Sequence, residues 1–212
     1  MALALTERAS AVRRGRRLEY LTIGYNSLEA AIALVSGFIA GSIALVGFGF
    51  DSLIEVSSAV ALLWRLGKDD PHERERVERV ALRLVGVSFF ALAGYVAFES
   101  VEALWRRQAP EESLPGIILA AASLIVMPLL ARAKRRVAAG IQSAALTADA
   151  RQTDICFYLS AILLGGLGLN ALFGWWWADP LAGLLMLPII VYEGREAVTG
   201  RTCCAAGPAC PN

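Results

Sequence analysis

Six stretches of apolar residues, each long enough to cross a membrane as a helix, follow one another along the 212-residue chain. A crossing needs about 20 predominantly apolar residues in helical form, because lipid offers no hydrogen-bond partner to the backbone. Short polar or glycine-containing segments separate the stretches. The pattern therefore predicts an all-α, polytopic membrane protein with six transmembrane helices, at residues 20–40, 44–66, 80–105, 114–133, 147–173 and 178–198.

The connections between these stretches carry recognisable start and stop signals. Residues 41–43 join the first two stretches so closely that they predict a tight helical hairpin. Pro71 follows two aspartates and suits the first turn of the third helix. Before the sixth helix, three consecutive tryptophans fit an interfacial belt, and Asp179 followed by Pro180 predicts an N-cap with proline at the first helical position.

Composition agrees with a membrane protein. The chain is 57% hydrophobic and 18% charged, whereas soluble domains have about 45–50% apolar and about 25% charged residues. These values exclude a disordered chain, a secreted disulfide scaffold and a membrane protein with a large soluble domain. A net charge of +1 gives no reason to expect a nucleic-acid partner. The single histidine, His72, lies in a polar loop, so a site inside the membrane must work without histidine.

The distribution of basic residues predicts the orientation. In this arrangement 18 of the 20 Lys and Arg residues lie on one side, and only Arg106 and Arg107 lie on the other. The positive-inside rule then places both termini in the cytoplasm of a multi-pass protein in a plasma or inner membrane. Three regions are expected: a basic cytoplasmic segment at 1–19 without a cleavable signal, a six-helix transmembrane domain at 20–198, and a cytoplasmic cysteine-containing tail at 199–212.

Two carboxylates interrupt the second apolar stretch. Asp51 and Glu55 are four residues apart and therefore project from one face of a helix. Each costs roughly 2.5–3.5 kcal/mol near the centre of a span. They form either a metal site of hard oxygen ligands, or acids that are protonated or paired with a neighbouring helix. The metal site is favoured because the predicted span cores contain no Arg or Lys to serve as a partner.

The start of the fifth helix supplies further candidate ligands. Asp149, Gln152 and Cys156 follow one another at i, i+3 and i+7, on one helix face, whereas Asp154 points elsewhere. An amide oxygen and a thiolate can both bind metal. Alternatively, Cys156 is a small buried hydrophobe and Gln152 makes an interhelical hydrogen bond.

Other candidate residues lie outside these two helices. Glu29, in the first helix, suggests a gating or supporting role. The tail contains Cys203, Cys204 and Cys210, which favour a site for a thiophilic metal over a plain flexible tail.

Several short motifs resemble the cation diffusion facilitator family. The region around the family's first two helices is similar to GSIAL at 41–45 followed by DSLIE at 51–55. The segment leading into the family's helix 5 is similar to SAALTADA at 143–150, and the start of its helix 6 is similar to WADPLAG at 177–183. The resemblance covers residues 20–198 in the right order. It implies an exporter that exchanges a cytosolic divalent cation for protons, works by alternating access as a homodimer in the bilayer, and is not an enzyme.

The chain departs from the family pattern in two places. Where the family usually has His-x-x-x-Asp in helix 5, a gapless alignment places Gln152 and Cys156; a shifted alignment would use Asp154 as the acid, with Ala150 at the histidine position. The gapless alignment is preferred. The family's C-terminal cytosolic domain has no counterpart in the 14 residues after position 198, so the chain resembles a membrane-domain-only branch.

The expected cargo follows from the ligands and from the family. No cofactor is expected besides the transported ion. Oxygen ligands alone suit manganese or magnesium, and a thiolate shifts preference toward zinc, cadmium, cobalt or iron. Zinc is placed first because it is the family's commonest substrate. Because two neighbouring carboxylates cannot both stay ionised in a medium of low dielectric constant without a cation, metal and protons should compete for them. The alternatives are a non-transporting scaffold or metal sensor that uses the cysteine tail, and an exporter of another small cation.

Overall fold

A computed structural model of the chain describes residues 2–66, 71–107, 110–141 and 144–199. The described residues form six α-helices and no strand, which confirms the predicted all-α class and the order of the helices. The helices are α1 Ala2–Ala40, α2 Ile43–Leu66, α3 Pro71–Arg106, α4 Leu114–Ile141, α5 Ala144–Phe173 and α6 Ala178–Thr199.

The lengths and compositions of the helices are those of a multi-pass membrane protein. Within the described residues, five helices contain a segment long and apolar enough to cross a bilayer: Arg13–Ala40, Ile43–Trp64, Arg83–Arg106, Leu114–Gly140 and Asp149–Phe173. The sixth helix, α6, has 22 residues and is not among them. At 1.5 Å per residue it still reaches about 33 Å, enough for a hydrocarbon core of about 30 Å. Its composition is less apolar because Glu193, Arg195 and Glu196 lie in its second half.

Three helices extend well beyond their apolar stretches, and one of them, α3, begins at Pro71, nine residues before its stretch. The first begins at Ala2 rather than near residue 20, so the segment expected outside the membrane domain continues the helix, and Glu19 is fully buried. The fourth continues to Ile141 rather than ending near residue 133. Arginine, lysine and alanine are good helix formers, so a helix need not end where its apolar run ends.

The predicted hairpin between α1 and α2 is present. Gly41 adopts a left-handed conformation with φ of 66°, which glycine tolerates without a Cβ penalty. The next amide, that of Ser42, donates to the carbonyl of Gly37 at 3.0 Å and closes the end of α1. The Ser42 hydroxyl then accepts from the amide of Leu45 at 3.2 Å and caps the start of α2.

Asp179 caps a different helix from the one predicted. The sequence predicts that it caps α6, but α6 begins at Ala178. Instead, the Asp179 carboxylate accepts from the Ser42 hydroxyl at 2.5 Å and from the amide of Ile43 at 2.8 Å. It therefore stabilises the N-terminus of α2, where free amides and the helix dipole favour a negative charge, and it joins two distant parts of the chain.

The helices pack as a group of four with a pair beside it. The first helix packs against α2 and α4, α4 packs against α5, and α5 returns to α2. The pair α3 and α6 contacts this group mainly through α2 and α5. The pair is close-packed at Gly86, where an added Cβ would lie 2.9 Å from the carbonyl oxygen of Gly194.

The first helix has polar residues inside and apolar residues outside. Glu19, Thr22, Asn26 and Glu29 are buried at intervals of three and four residues, on the face that α2 and α4 cover. Large apolar side chains on the opposite face, among them Leu28 at 61% exposure, are open to the surroundings. In a bilayer such residues face lipid, so the interior of the four-helix group is the place where polar side chains collect.

Candidate metal site between α2 and α5

Asp51 and Glu55 both lie on the buried face of α2. Phe48, Ser52 and Ala59 share that face at helical spacing. Asp51 is 5% exposed and Glu55 is 1% exposed, so both carboxyl groups are removed from the surroundings although they lie within a membrane-spanning segment. The helical phase predicted from the sequence is therefore the one that the structure has.

The face of α5 that meets α2 carries a cysteine and two hydroxyls. Thr153, Cys156 and Ser160 are buried at intervals of three and four residues. The Thr153 hydroxyl donates to Glu55 Oε1 at 2.8 Å. Cys156 is a free thiol, 1% exposed, and interacts with the carboxyl groups of both Asp51 and Glu55. Helices α2 and α5 therefore place two carboxyl groups and one thiol within interaction range of one another.

A buried lysine lies beside this place, contrary to the expectation that no cation is available to the acids. Lys134, on α4, is fully buried. Its ammonium donates to Asp149 Oδ2 and to the Thr153 hydroxyl, the latter at 3.2 Å, and lies 3.7 Å from Glu19 Oε2. The prediction was wrong because α4 was expected to end one residue before Lys134. Asp149, predicted as a less certain metal ligand, is paired with this ammonium.

Glu29 is held by hydroxyl groups. Its carboxylate accepts from the Ser123 hydroxyl of α4 and, at 2.8 Å, from the Ser52 hydroxyl of α2. Because the single hydroxyl proton of Ser123 is directed to Glu29, the hydrogen bond between Tyr25 and Ser123, 2.9 Å long, is donated by Tyr25. Glu29 thus fastens α1 to α2 and α4 next to Asp51, which agrees with a supporting role.

The remaining predicted ligands lie elsewhere. Gln152 is half-buried at the edge of the α5 face, and its amide nitrogen has no hydrogen-bond partner among the described residues. Asp154 points away from the site and pairs with Arg135 of α4 on the outer side, as its helical phase predicts. The three tail cysteines, Cys203, Cys204 and Cys210, lie outside the described residues.

The described residues do not form a tight cluster of metal ligands. Across the described ranges, no three His, Cys, Asp or Glu side chains lie close enough together to hold one ion. One carboxyl oxygen nevertheless points to a further partner, because Glu55 Oε2 is buried without a hydrogen bond. Buried polar atoms are normally paired, so this oxygen lacks a partner that the described residues do not supply.

The sequence analysis did not identify Lys134, Thr153 and Glu19 as residues near the site. For Lys134, the spacing of its neighbours along α4 contained a usable signal. Met127, Ala131, Lys134 and Ala138 follow one another at intervals of four, three and four residues, and all are buried. The neighbouring Arg132, Arg135 and Arg136 are exposed. If the helical periodicity of α4 is continued through this basic run, Lys134 falls on the buried face of the helix and the three arginines fall on the exposed face.

Comparison with known proteins gives a consistent result. Residues 20–199 match the sequence profile of the cation efflux transmembrane domain. The chain is 25% identical to an uncharacterized transporter of Synechocystis sp. (strain ATCC 27184 / PCC 6803 / Kazusa) over 179 residues, which cover 81% of this chain and 58% of that protein. It is also 23% identical to Protein p34 of Rickettsia rickettsii (strain Sheila Smith) over 174 residues, covering 79% and 57% of the two chains. The chain thus spans less than two thirds of the length of either relative.

Proposed function

Because the chain belongs to the cation efflux family, we propose that it carries a divalent metal cation across a membrane, with Asp51 and Glu55 as the anionic ligands. The family match agrees with the resemblance to cation diffusion facilitators that the sequence motifs carry. The observation that supports the proposal most directly is the burial of both carboxyl groups on one face of a membrane-spanning helix, opposite Cys156.

Burial of two neighbouring acids needs compensation. Taking a carboxylate out of water is costly unless it is paired or hydrogen-bonded, and two like charges one turn apart repel each other. The Thr153 hydroxyl donates to Glu55 Oε1, Asn26 and Cys156 also interact with this carboxyl group, and Oε2 has no hydrogen bond of ordinary geometry among the described residues. A divalent cation between Asp51 and Glu55 would supply the missing positive charge, which is why the arrangement suits a cation better than a neutral substrate.

Cys156 makes a transition metal the best-fitting cargo. A thiolate beside two carboxylates is softer than an all-oxygen site and favours zinc, with cadmium, cobalt and iron as related ions, over manganese. Gln152 completes the proposed set of Asp51, Glu55, Gln152 and Cys156, and it needs a side-chain rearrangement to do so. Among the described residues, the three proposed acidic and thiol ligands, Asp51, Glu55 and Cys156, do not already form a cluster that could hold one ion. Metal entry therefore has to draw side chains of α2 and α5 together.

The proposal also covers the coupling of metal transport to protons, the direction of transport and the oligomeric state of the protein. Protons replace the metal on the same carboxyl groups, so export of the cation from the cytosol is coupled to proton entry as an antiport. Alternating access is provided by movement of the four-helix group of α1, α2, α4 and α5. A homodimer in the bilayer with both termini in the cytoplasm is the proposed assembly, and the bias of basic residues supports this orientation.

Transport by the purified full-length chain in proteoliposomes tests the proposal. The wild-type protein is expected to move zinc and cadmium across the vesicle membrane, as read by an internal metal-sensitive dye under an imposed proton gradient. Asp51→Ala and Glu55→Ala should abolish transport while inserting normally, because an apolar residue in a span does not hinder insertion.

Asp154→Ala is the matched control, since this acid is one position from Thr153 and two from Cys156 along α5 but pairs with Arg135 on the outer side. It should transport like the wild type. Normal transport by Asp51→Ala or Glu55→Ala would refute the ligand assignment, and absence of any metal flux in the wild type would favour the non-transporting scaffold instead.

A further inference from the structure

The buried ammonium of Lys134 is shared among more acids than it can neutralise. Glu19, Asp149 and Glu55 come from three different helices and all interact with it. Asp149 receives a direct hydrogen bond, and Glu19 lies at 3.7 Å. One positive charge therefore stands against three carboxyl groups in the same buried region.

Unpaired oxygen atoms in this region show that the ammonium does not satisfy the acids. Both carboxyl oxygens of Glu19, Oδ1 of Asp149 and Oε2 of Glu55 are buried without a hydrogen-bond partner among the described residues. A structural ion pair that had been optimised for stability alone would have its lone pairs satisfied, because a buried pair without such hydrogen bonds gains little over apolar packing. The arrangement instead leaves room for additional positive charge.

Thr153 connects the ammonium to the proposed metal ligands. Its hydroxyl accepts from Lys134 Nζ at 3.2 Å and donates to Glu55 Oε1 at 2.8 Å. The same hydroxyl is 3.2 Å from the carbonyl oxygen of Asp149, but it has a single proton, and the shorter bond is the one to Glu55. One hydroxyl therefore links the lysine to the carboxylate on which the proposed function depends.

We propose that Lys134 is a tethered counter-ion that competes with the transported cation for the negative charge of Glu55. This inference rests on the proposed function. Without metal, the ammonium offsets part of the negative charge of Glu55 through Thr153, while it also interacts with Glu19 and Asp149. When a divalent cation reaches Asp51 and Glu55, its charge repels the ammonium, which is linked to Glu55 Oε1 by two successive hydrogen bonds of 3.2 and 2.8 Å through Thr153. Lys134 thereby limits metal affinity and favours release.

Three variants of the full-length protein test this role: Lys134→Met, Lys134→Arg, and the double variant Lys134→Met with Asp149→Asn. Zinc Kd is measured by equilibrium dialysis of the purified protein, and zinc KM and Vmax are measured in proteoliposomes. Removing the competing charge should lower the Kd and KM of Lys134→Met about tenfold or more and lower its Vmax, because the metal is released more slowly. Lys134→Arg keeps the charge and should bind zinc within a few-fold of wild type.

The double variant controls for destabilisation of the fold by an unpaired carboxylate. Lys134→Met alone leaves Asp149 buried without its partner, whereas the double variant removes both charges of the pair. It should fold and bind zinc at least as tightly as the wild type. Weaker zinc binding in the double variant would overturn the proposal, since it would make Asp149 a metal ligand rather than a partner of Lys134. A folded Lys134→Met with wild-type Kd would overturn it as well.

The two proposals fail in different ways. If the wild type does not transport zinc but Lys134→Met binds it more tightly, the transport function is refuted and the counter-ion role stands. If the wild type transports zinc and the Kd of Lys134→Met is unchanged, the counter-ion role is refuted and the transport function stands.

Discussion

Replacing Asp179 with alanine tests whether this residue fastens the start of α2 to α6. The carboxylate accepts from the Ser42 hydroxyl at 2.5 Å and from the amide of Ile43 at 2.8 Å, and it is fully buried. Asp179→Ala leaves both donors buried without this partner, and each such group costs about 1–3 kcal/mol. Relief from burying the carboxylate offsets part of that cost, so we expect a net loss of about 2–4 kcal/mol.

This loss should be visible in thermal unfolding. For chains of 150–250 residues, 1 kcal/mol corresponds to about 2–4 °C in Tm, so the Tm of Asp179→Ala in detergent should fall by about 5–15 °C. Size-exclusion chromatography of heated samples measures this Tm. Asp154→Ala is the control, because it removes an acid whose pair with Arg135 is 46% exposed on the arginine side and worth about 0–1 kcal/mol.

A double-variant cycle with Ser42→Ala distinguishes the two capping assignments. If Asp179 caps α2 through Ser42, the two substitutions remove one shared hydrogen bond, and their effects should be less than additive by about 1–2 kcal/mol. If Asp179 only capped its own helix, the effects would add. Additive losses, or a Tm for Asp179→Ala equal to that of the Asp154→Ala control, would refute the reasoning.

Three further substitutions and one truncation probe the site, the packing and the tail. If the Cys156 thiolate is a ligand, Cys156→Ser should weaken zinc and cadmium transport more than manganese transport, and Cys156→Asp should shift preference toward manganese; an unchanged metal ranking in the proteoliposome assay would show that this cysteine is structural. Gly86→Leu should lower the Tm by several degrees, because even a Cβ would lie 2.5 Å from a Val198 methyl group; a Tm equal to wild type would contradict the close packing of α3 on α6. Truncation after Gly200 should leave transport measurable, because the spans and their ligands remain, but should weaken the apparent metal affinity if the tail cysteines collect metal near the cytosolic side; complete loss of transport at normal expression would contradict this role.

The pattern of apolar and polar residues was sufficient for the fold class and for the two central acids. Helix number and order follow from lengths of apolar sequence, because a bilayer requires each crossing to satisfy its own backbone hydrogen bonds. Asp51 and Glu55 were found because a charge within an apolar run is costly and therefore informative. Their shared helix face followed from their spacing alone.

The partners of these acids could not be predicted from spacing, since they lie on other helices. Lys134 lies within a run of basic residues that looks like a loop, and only the packing of α4 against α1 and α5 separates it from its exposed neighbours. Thr153, rather than the predicted Gln152, donates to Glu55. The rotation of α5 that decides between these two adjacent residues depends on interhelical contacts, which the sequence of α5 does not contain.

The sequence by itself therefore determined the number and order of the apolar helices and which helix carries the buried acids, because those properties depend on local hydropathy and helical periodicity. Only the tertiary structure decided how the charges are balanced. Lys134, Asp149 and Glu19 meet from three helices, and Asp179 of α6 caps α2 across 136 residues of chain. Coulomb and hydrogen-bond energies depend on distances between atoms rather than on separation along the chain, so these pairings exist only once the helices have packed.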